Sequence, residues 1–448
     1  MKNLKSVLFS ILAICVVLIF QSCDQCRDVE TPEGCDCQDG IITCDDPDPC
    51  SAVLCPIGYA CADGTCVSTD GNEAIKTGFI TSDIVWSADT IYLLQGKVVV
   101  SDGATLTIEA GTIIKGLAGE GSLASALVVA RGGKINANGT ADKPIIMTSV
   151  LDDIQKGQTA GSNLDEGDIG KWGGLIVLGK APISVDGNAV ENRIEGLPAT
   201  ESFAFYGGTE AADNSGSITY VSIRHGGALL GEGNEINGIT FGGVGSGTTV
   251  NHIEVVANFD DGVEFFGGTV NVTNVVVWAQ GDDAYDIDEA YAGTIDNFVY
   301  IAGENSDHGM EIDGPAGSGD GQATMINGTM KGLSAEYADF RDGAQANISK
   351  VYWFNFDASD DSNEIEIDDD VSSANYHTNG KLVLTDMEFN TTLTFDKLFQ
   401  DKAPAGDDTA FETKMALDNT VPVTTPTVGA NTSVFDWTLA NIKGALNF

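Results

Sequence analysis

The stretch GDDAYDIDEAY, residues 281–291, sets Asp282, Asp283, Asp286, Asp288 and Glu289 among small and apolar residues only. Carboxylates this dense suit a few kinds of chemistry. They can ligate a hard cation, which takes six to eight oxygens at ~2.3–2.6 Å. They can work as an acid and a base held at different pKa values. They can also form an acidic turn whose work is solvation. The run has relatives along the chain, because similar short segments recur as GITFGG (238–243), GVEFFGG (262–268), GMEIDG (309–314), YADFRD (337–342) and SNEIEI (362–367).

Aligned with AYDIDE (284–289), these segments place Thr240, Glu264, Asp286, Glu311, Asp339 and Glu364 in one column, at intervals of 24, 22, 25, 28 and 25 residues. A second strand-like run recurs in the same units, as VNHIEVV, VTNVVVW, IDNFVYI and ISKVYWF. Near-constant spacing of short β-branched and aromatic runs predicts a parallel β-helix, in which each coil stacks on the previous one and like residues form columns. A β-sandwich would reverse strand direction and not hold such columns. Side chains alternate across each strand. Phe241, Phe265, Ile287, Ile312, Phe340 and Ile365 therefore point inward, with Ile239, Val263, Tyr285, Met310, Ala338 and Asn363 beside them.

The acidic column then points outward. Glu264 stands with Phe266, Asp286 with Asp288, Glu311 with Asp313, Asp339 with Arg341, and Glu364 with Glu366. Coils stack ~4.8 Å apart. At that spacing two bare carboxylates repel by roughly 0.8 kcal/mol in water and ~3 kcal/mol at an effective dielectric of 20. Cations, protons or Arg341 must offset this cost.

The openings GATLTIEAGTIIKG and GGKINANGTADKPIIMTS resemble the first coils of right-handed parallel β-helix proteins of the pectate-lyase-like fold. Across 75–400 the chain resembles exported, acidic β-helix lipoproteins of Bacteroidetes-type bacteria. The expected fold is therefore all-β, a right-handed parallel β-helix over 71–400 preceded by a small disulfide-rich stalk. Residues 401–448 are expected as a linker and a cap over the last coil.

The start of the chain carries an address. Lys2 and Lys5 precede the apolar run SVLFSILAICVVLIF, which is too short to span a bilayer and reads as an export signal over 1–22. Its end, FQSC, resembles the lipobox of bacterial lipoproteins, a resemblance that makes Cys23 the lipidated residue. Multiple acyl chains would anchor the protein to a membrane that it does not cross, at the outer membrane and the cell surface or its periplasmic face. Cys26, Cys35, Cys37, Cys44, Cys50, Cys55, Cys61 and Cys66 crowd the segment 23–70. An even cysteine set in an exported chain reads as a disulfide framework. DPCSAVLCPIGYACADGTC resembles a small EGF-like module.

Charge narrows the partners. The chain has 66 acidic against 22 basic residues, a net charge of −44. Such a field repels nucleic acid and anionic headgroups and favours cations or basic partners.

Three readings of the acidic face follow. In the first, Glu264, Asp286, Asp288, Glu311 and Asp313 bind calcium, although no standard calcium loop is present. In the second, NFDDGVEF, GDDAYDI and SDHGMEIDG resemble the polygalacturonase motifs. That resemblance implies inverting glycoside hydrolysis with Asp282 as general acid, Asp261 and Asp283 activating water, and His308 assisting. The match is partial: Phe259 and Asp260 stand where Asn and Thr would, Asp307 replaces a glycine, and no R-x-K follows. In the third, the face binds a neutral glycan or a protein of an outer-membrane complex, or is merely solvated. Phe266, Tyr291 and Trp353 would then be exposed and Arg341 would grip a ligand.

Overall fold

The computed structural model describes residues 72–448 apart from 198–200, 230–235, 335 and 359–363, together with short strands at 35–38, 41–44, 59–62 and 65–68. The chain divides into two units, Met1–Lys76 and Thr77–Phe448. In the first, Cys35–Gln38 pairs antiparallel with Ile41–Cys44, and Tyr59–Ala62 with Thr65–Ser68. Cys61 is disulfide-bonded. The leader and Cys23, Cys26, Cys50 and Cys55 lie outside the described residues.

The second unit is a parallel β-helix. Its first face runs through Ala126–Val129, Leu175–Leu178, Ile239–Gly242, Val263–Phe266, Tyr285–Asp288, His308–Asp313, Glu336–Arg341, Ile365–Ile367 and Phe399–Asp401, each strand parallel to the next. The other two faces are cut from single long strands: Gly216–Arg224, Thr249–Val256, Asn271–Trp278, Thr294–Ile301, Ala323–Lys331 and Ala346–Phe354. Pairing breaks once in each of these strands, at a residue with positive φ: Tyr220, His252, Asn274, Asn297, Asn327 and Lys350. Asparagine tolerates this left-handed bend. The Asn274 amide donates to Asn251 Oδ1 at 2.8 Å and Asn297 to Asn274 at 2.6 Å, so the bend repeats coil after coil.

The inward columns expected from the sequence are buried: Phe241, Phe265, Ile287, Ile312 and Phe340, beside Ile239, Val263, Tyr285, Met310 and Ala338. Asn363 falls outside the described residues. One rung differs. Phe340 pairs with Ile367 and Asp339 with Glu366, so the last coil is two residues longer than the alignment placed it. A shift of two keeps every side chain on its own face, which is why alternation did not reveal it.

Tyr291 and Trp353, expected to be exposed, are buried. Tyr291 stacks on Phe265 with ring centroids 4.4 Å apart, and its hydroxyl donates to the Val270 carbonyl at 2.6 Å. Trp353 packs on Phe356 and Phe389.

Two non-periodic segments dress the helix. After Leu178 the chain leaves the coil and packs Ile194, Leu197, Ala204 and Tyr206 over the outer side of the first face, against Ile176, Leu178 and Phe266. The second segment is 401–448. Its helix Asp408–Asp418 buries Phe411 and Met415 beside Phe399 and Tyr376 at the last coil. Beyond it, the chain does not close that coil. It returns along the flank, and Phe435, Leu439, Ala440 and Leu446 cover Val256, Val276, Trp278, Val299 and Ile301. Burying that apolar flank is what draws the segment back.

Candidate metal centre

The first face presents its polar side chains in three columns. The entry column comprises Asn237, Asp261 and Asp283 at the bend before their strands and His308 and Glu336 at the first residue of theirs, each two residues ahead of an inward residue of the register. The bend is tight. A Cβ at Gly262 would lie 2.4 Å from Val277 Cγ1 and 2.7 Å from the Ala284 carbonyl, so only glycine lets Asp261 turn in beside its strand. The middle column is Thr240, Glu264, Asp286, Glu311, Asp339 and Glu366, in register down the face. At the exit stand Phe266, Asp288, Asp313 and Arg341.

The middle column faces away from the coil interior and is nonetheless buried throughout. Phe266 is buried too, against Tyr206 of the overlying segment, rings 6.0 Å apart. It is therefore core and not a ligand-facing ring. Tyr206 also donates its hydroxyl to both oxygens of Glu289, at 2.7 and 2.8 Å.

The four residues of the hydrolase-like reading come together. Asp261 Oδ1 accepts the Asp283 N–H at 2.9 Å, and Asp283 Oδ1 lies 2.8 Å from both the His308 N–H and its Nδ1. Asp260, Asp261 and Asp282 each offer an oxygen within 4.8 Å of the others. Asp282 alone of the four is exposed, and partial desolvation of its carboxyl, with the neighbouring Asp283 and Asp307, raises its pKa to about 6. An inverting hydrolase keeps its two carboxyls ~6.5–9.5 Å apart to admit water. This cluster is tighter.

Charge compensation divides the face. His308 lies between Asp283 and Glu336, with Nε2 3.4 Å from Glu336 Oε2. Burial disfavours its charge, but hydrogen bonds to those carboxylates prevail and lift its pKa to about 11. Arg341 pairs with Glu311, with Asp313 at 2.9 Å and more loosely with Asp339 at 3.8 Å. Its fork serves the protein's own carboxylates. Lys402, from the last coil, contacts Glu364 at 2.5 Å and also Glu366. The coils from residue 308 onward thus carry their own counter-ions.

The coils before them do not. Among the described residues no ion pair reaches Asp261, Glu264, Asp286 or Asp288. Asp261, Glu264 and Asp286 are all buried, and each offers an oxygen within 4.8 Å of the other two. Asn237 donates its amide to Glu264. Asp286 is only 8% exposed, and its Oδ1 has no hydrogen-bond partner. Burial first, and the neighbouring carboxylates second, push all three pKa values well above the ordinary range. The same causes hold Asp288 at about 8. Glu311 reaches about 9 through burial and Asp283, against the pull of Arg341.

Of the five residues expected to bind metal, Glu264 and Asp286 belong to the uncompensated cluster. Asp288 stands at its edge, and Glu311 and Asp313 belong to Arg341. Asp261, to which the sequence resemblance gave a catalytic role, lies beside Glu264 and Asp286 in that cluster. Lys402 carried no sequence signal, since it lies outside the repeated motif, whereas Asn237 stands directly before GITFGG as Asp261 and Asp283 stand before their segments, so the alignment could have found it.

Stacked parallel strands with an outward acidic column define the class of protein: a parallel β-helix with an acidic face. The profile of the pectate-lyase-like beta-helix domain matches residues 78–440, and the chain belongs to that family. No curated protein and no solved structure matches it.

Proposed function

We propose that the protein is a lipid-anchored surface binding protein whose acidic face takes up divalent cations, calcium first, and in that state docks a glycan or protein partner. The observation that carries the reading is the Asp261–Glu264–Asp286 cluster, which is buried, has no basic residue paired to it among the described residues, and includes a free Asp286 oxygen. Two ligands on opposite sides of one calcium ion are at most ~4.6–5.2 Å apart, so oxygens within 4.8 Å of one another can share one such ion. Leaving several buried carboxylates charged and unpaired would cost several kcal/mol, and a bound ion removes that cost. The test is calorimetric titration of the intact chain with calcium chloride. Wild type binds, and Asp286→Asn, which keeps the shape and removes a ligand, weakens binding at this site by roughly tenfold or more. A titration without heat, and without any shift of the unfolding midpoint between calcium and chelator, would overturn the reading.

Anchorage is proposed to run through Cys23. Among the described residues no helix is long and apolar enough to cross a membrane. Expressed with its own leader, the protein should partition into detergent-extracted membranes, and Cys23→Ser should move most of it to the soluble fraction. A variant that stays with the membrane would rule out Cys23 as the anchor.

A further inference from the structure

Arg341 and Lys402 do not satisfy the lower column completely. Asp339 is 4% exposed, and its Oδ1 has no hydrogen-bond partner. Arg341 commits Nε to Asp313 and Nη2 to Glu311, leaving Nη1 3.8 Å from Asp339 Oδ2, which is beyond hydrogen-bond length. Glu366 is the register partner of Asp339 on the next coil, and Asp368 follows directly after that strand. The three carboxylates each bring an oxygen within 4.8 Å of the other two. Asp368 is exposed, so the cluster opens to solvent on that side.

We propose that Asp339, Glu366 and Asp368 form a second divalent-cation site, and that Lys402 controls its occupancy by competing for Glu366. The inference rests on the reading that the face takes hard divalent cations, and adds a second locus at the other end of the column. The free Asp339 oxygen supplies the inner ligand, Asp368 the outer one, and Glu366 bridges between them. Lys402 is 40% exposed and is held by Glu364 as well as Glu366. Its ammonium can therefore give up Glu366 to an incoming ion, keep Glu364 and stay solvated. One ammonium cannot balance Asp339, Glu364, Glu366 and Asp368 together, so the locus remains anionic with Lys402 in place. The competition makes this the weaker of the two sites. Among the described residues no basic residue is paired with Asp261, Glu264 or Asp286.

The experiment is calcium binding to the intact chain by titration calorimetry and equilibrium dialysis, on wild type, Asp286→Asn, Asp339→Asn and Lys402→Met. Each variant is first shown to unfold cooperatively in chelator. Wild type is expected to take up two equivalents of unequal affinity. Asp339→Asn should lose the weaker one and Asp286→Asn the tighter one. Lys402→Met should keep both and tighten the weaker by roughly tenfold or more, because a competing charge a few ångströms away is gone. One equivalent that Asp286→Asn removes and Asp339→Asn does not would overturn the second site and leave the first. One equivalent with the opposite dependence would overturn the first and leave the second. Two equivalents indifferent to Lys402→Met would overturn the competition.

Discussion

In chelator, the protein should lose stability steadily as the pH rises from about 5 to about 9, and saturating calcium should abolish most of that slope. Asp261, Glu264 and Asp286 have pKa values well above their ordinary ones, because burial and their neighbours disfavour the charge, and four more carboxyls of the face are raised as well. Asp282 lies at about 6, Asp339 at about 7, Asp288 at about 8 and Glu311 at about 9. The folded chain therefore binds more protons than the unfolded chain throughout this range. Their stabilising contribution is complete below the unfolded values near 4 and is lost as the pH climbs through the folded ones. A single carboxyl moved from 3.8 to about 8 accounts for on the order of 5 kcal/mol. Coupling along the column keeps the total below a simple sum. For a domain of this size even that one group lowers the unfolding midpoint by about 5 °C. Calcium replaces the protons as counter-charge, and at a hundredfold excess over Kd each site adds about 2.7 kcal/mol. Thermal unfolding at pH 5, 7 and 9, with calcium and with chelator, measures both effects. A profile in chelator that is flat or rising over this range would show that the buried column is neutralised in some other way.

Arg224→Met should destabilise the fold by about 3–5 kcal/mol, although the partners of Arg224 lie off the acidic face. Arg224 and Glu254 are both fully buried on the flank. The Ser222 hydroxyl joins them, donating to Glu254 Oε2 at 2.5 Å and accepting from Arg224 Nε at 2.7 Å. The pair also ties two distant segments to the coils. Arg224 Nη1 donates to the Thr159 carbonyl at 2.9 Å, and Glu254 Oε1 accepts the Ala440 N–H at 2.8 Å. Removing the arginine leaves a buried carboxylate without its counter-charge, and that uncompensated charge is the dominant cost. The double variant Arg224→Met/Glu254→Gln should recover much of the loss, because it removes both charges and keeps the amide acceptor for Ala440. Denaturant unfolding of the four proteins of this cycle measures the coupling. Proteolysis beyond residue 430 should accelerate in the single variant and slow again in the double. If the double is no more stable than Arg224→Met, packing around the arginine outweighs its charge.

The periodic part of this protein was legible from its sequence. Stacked coils repeat one local environment, so Phe241, Phe265, Ile287, Ile312 and Phe340 must all be apolar. The Glu264–Asp286–Glu311–Asp339 column comes into register as soon as they are aligned. Side-chain alternation then assigns each residue to its face. The same logic failed at Glu366, where a longer turn shifts the rung by two residues without breaking alternation.

Only the tertiary structure decided which outward residues meet water. Phe266 is buried because Tyr206 and its segment fold over the first face, and Trp353 because Phe356 and Phe389 close on it. Lys402 becomes a counter-ion because the last coil brings it beside Glu364 and Glu366. The return of Phe435 and Leu439 along the flank has the same character. Repetition makes contacts between neighbouring coils predictable from spacing alone. An insertion or a tail is placed by whatever apolar or charged surface the finished coils leave uncovered, and that surface exists only once they have stacked.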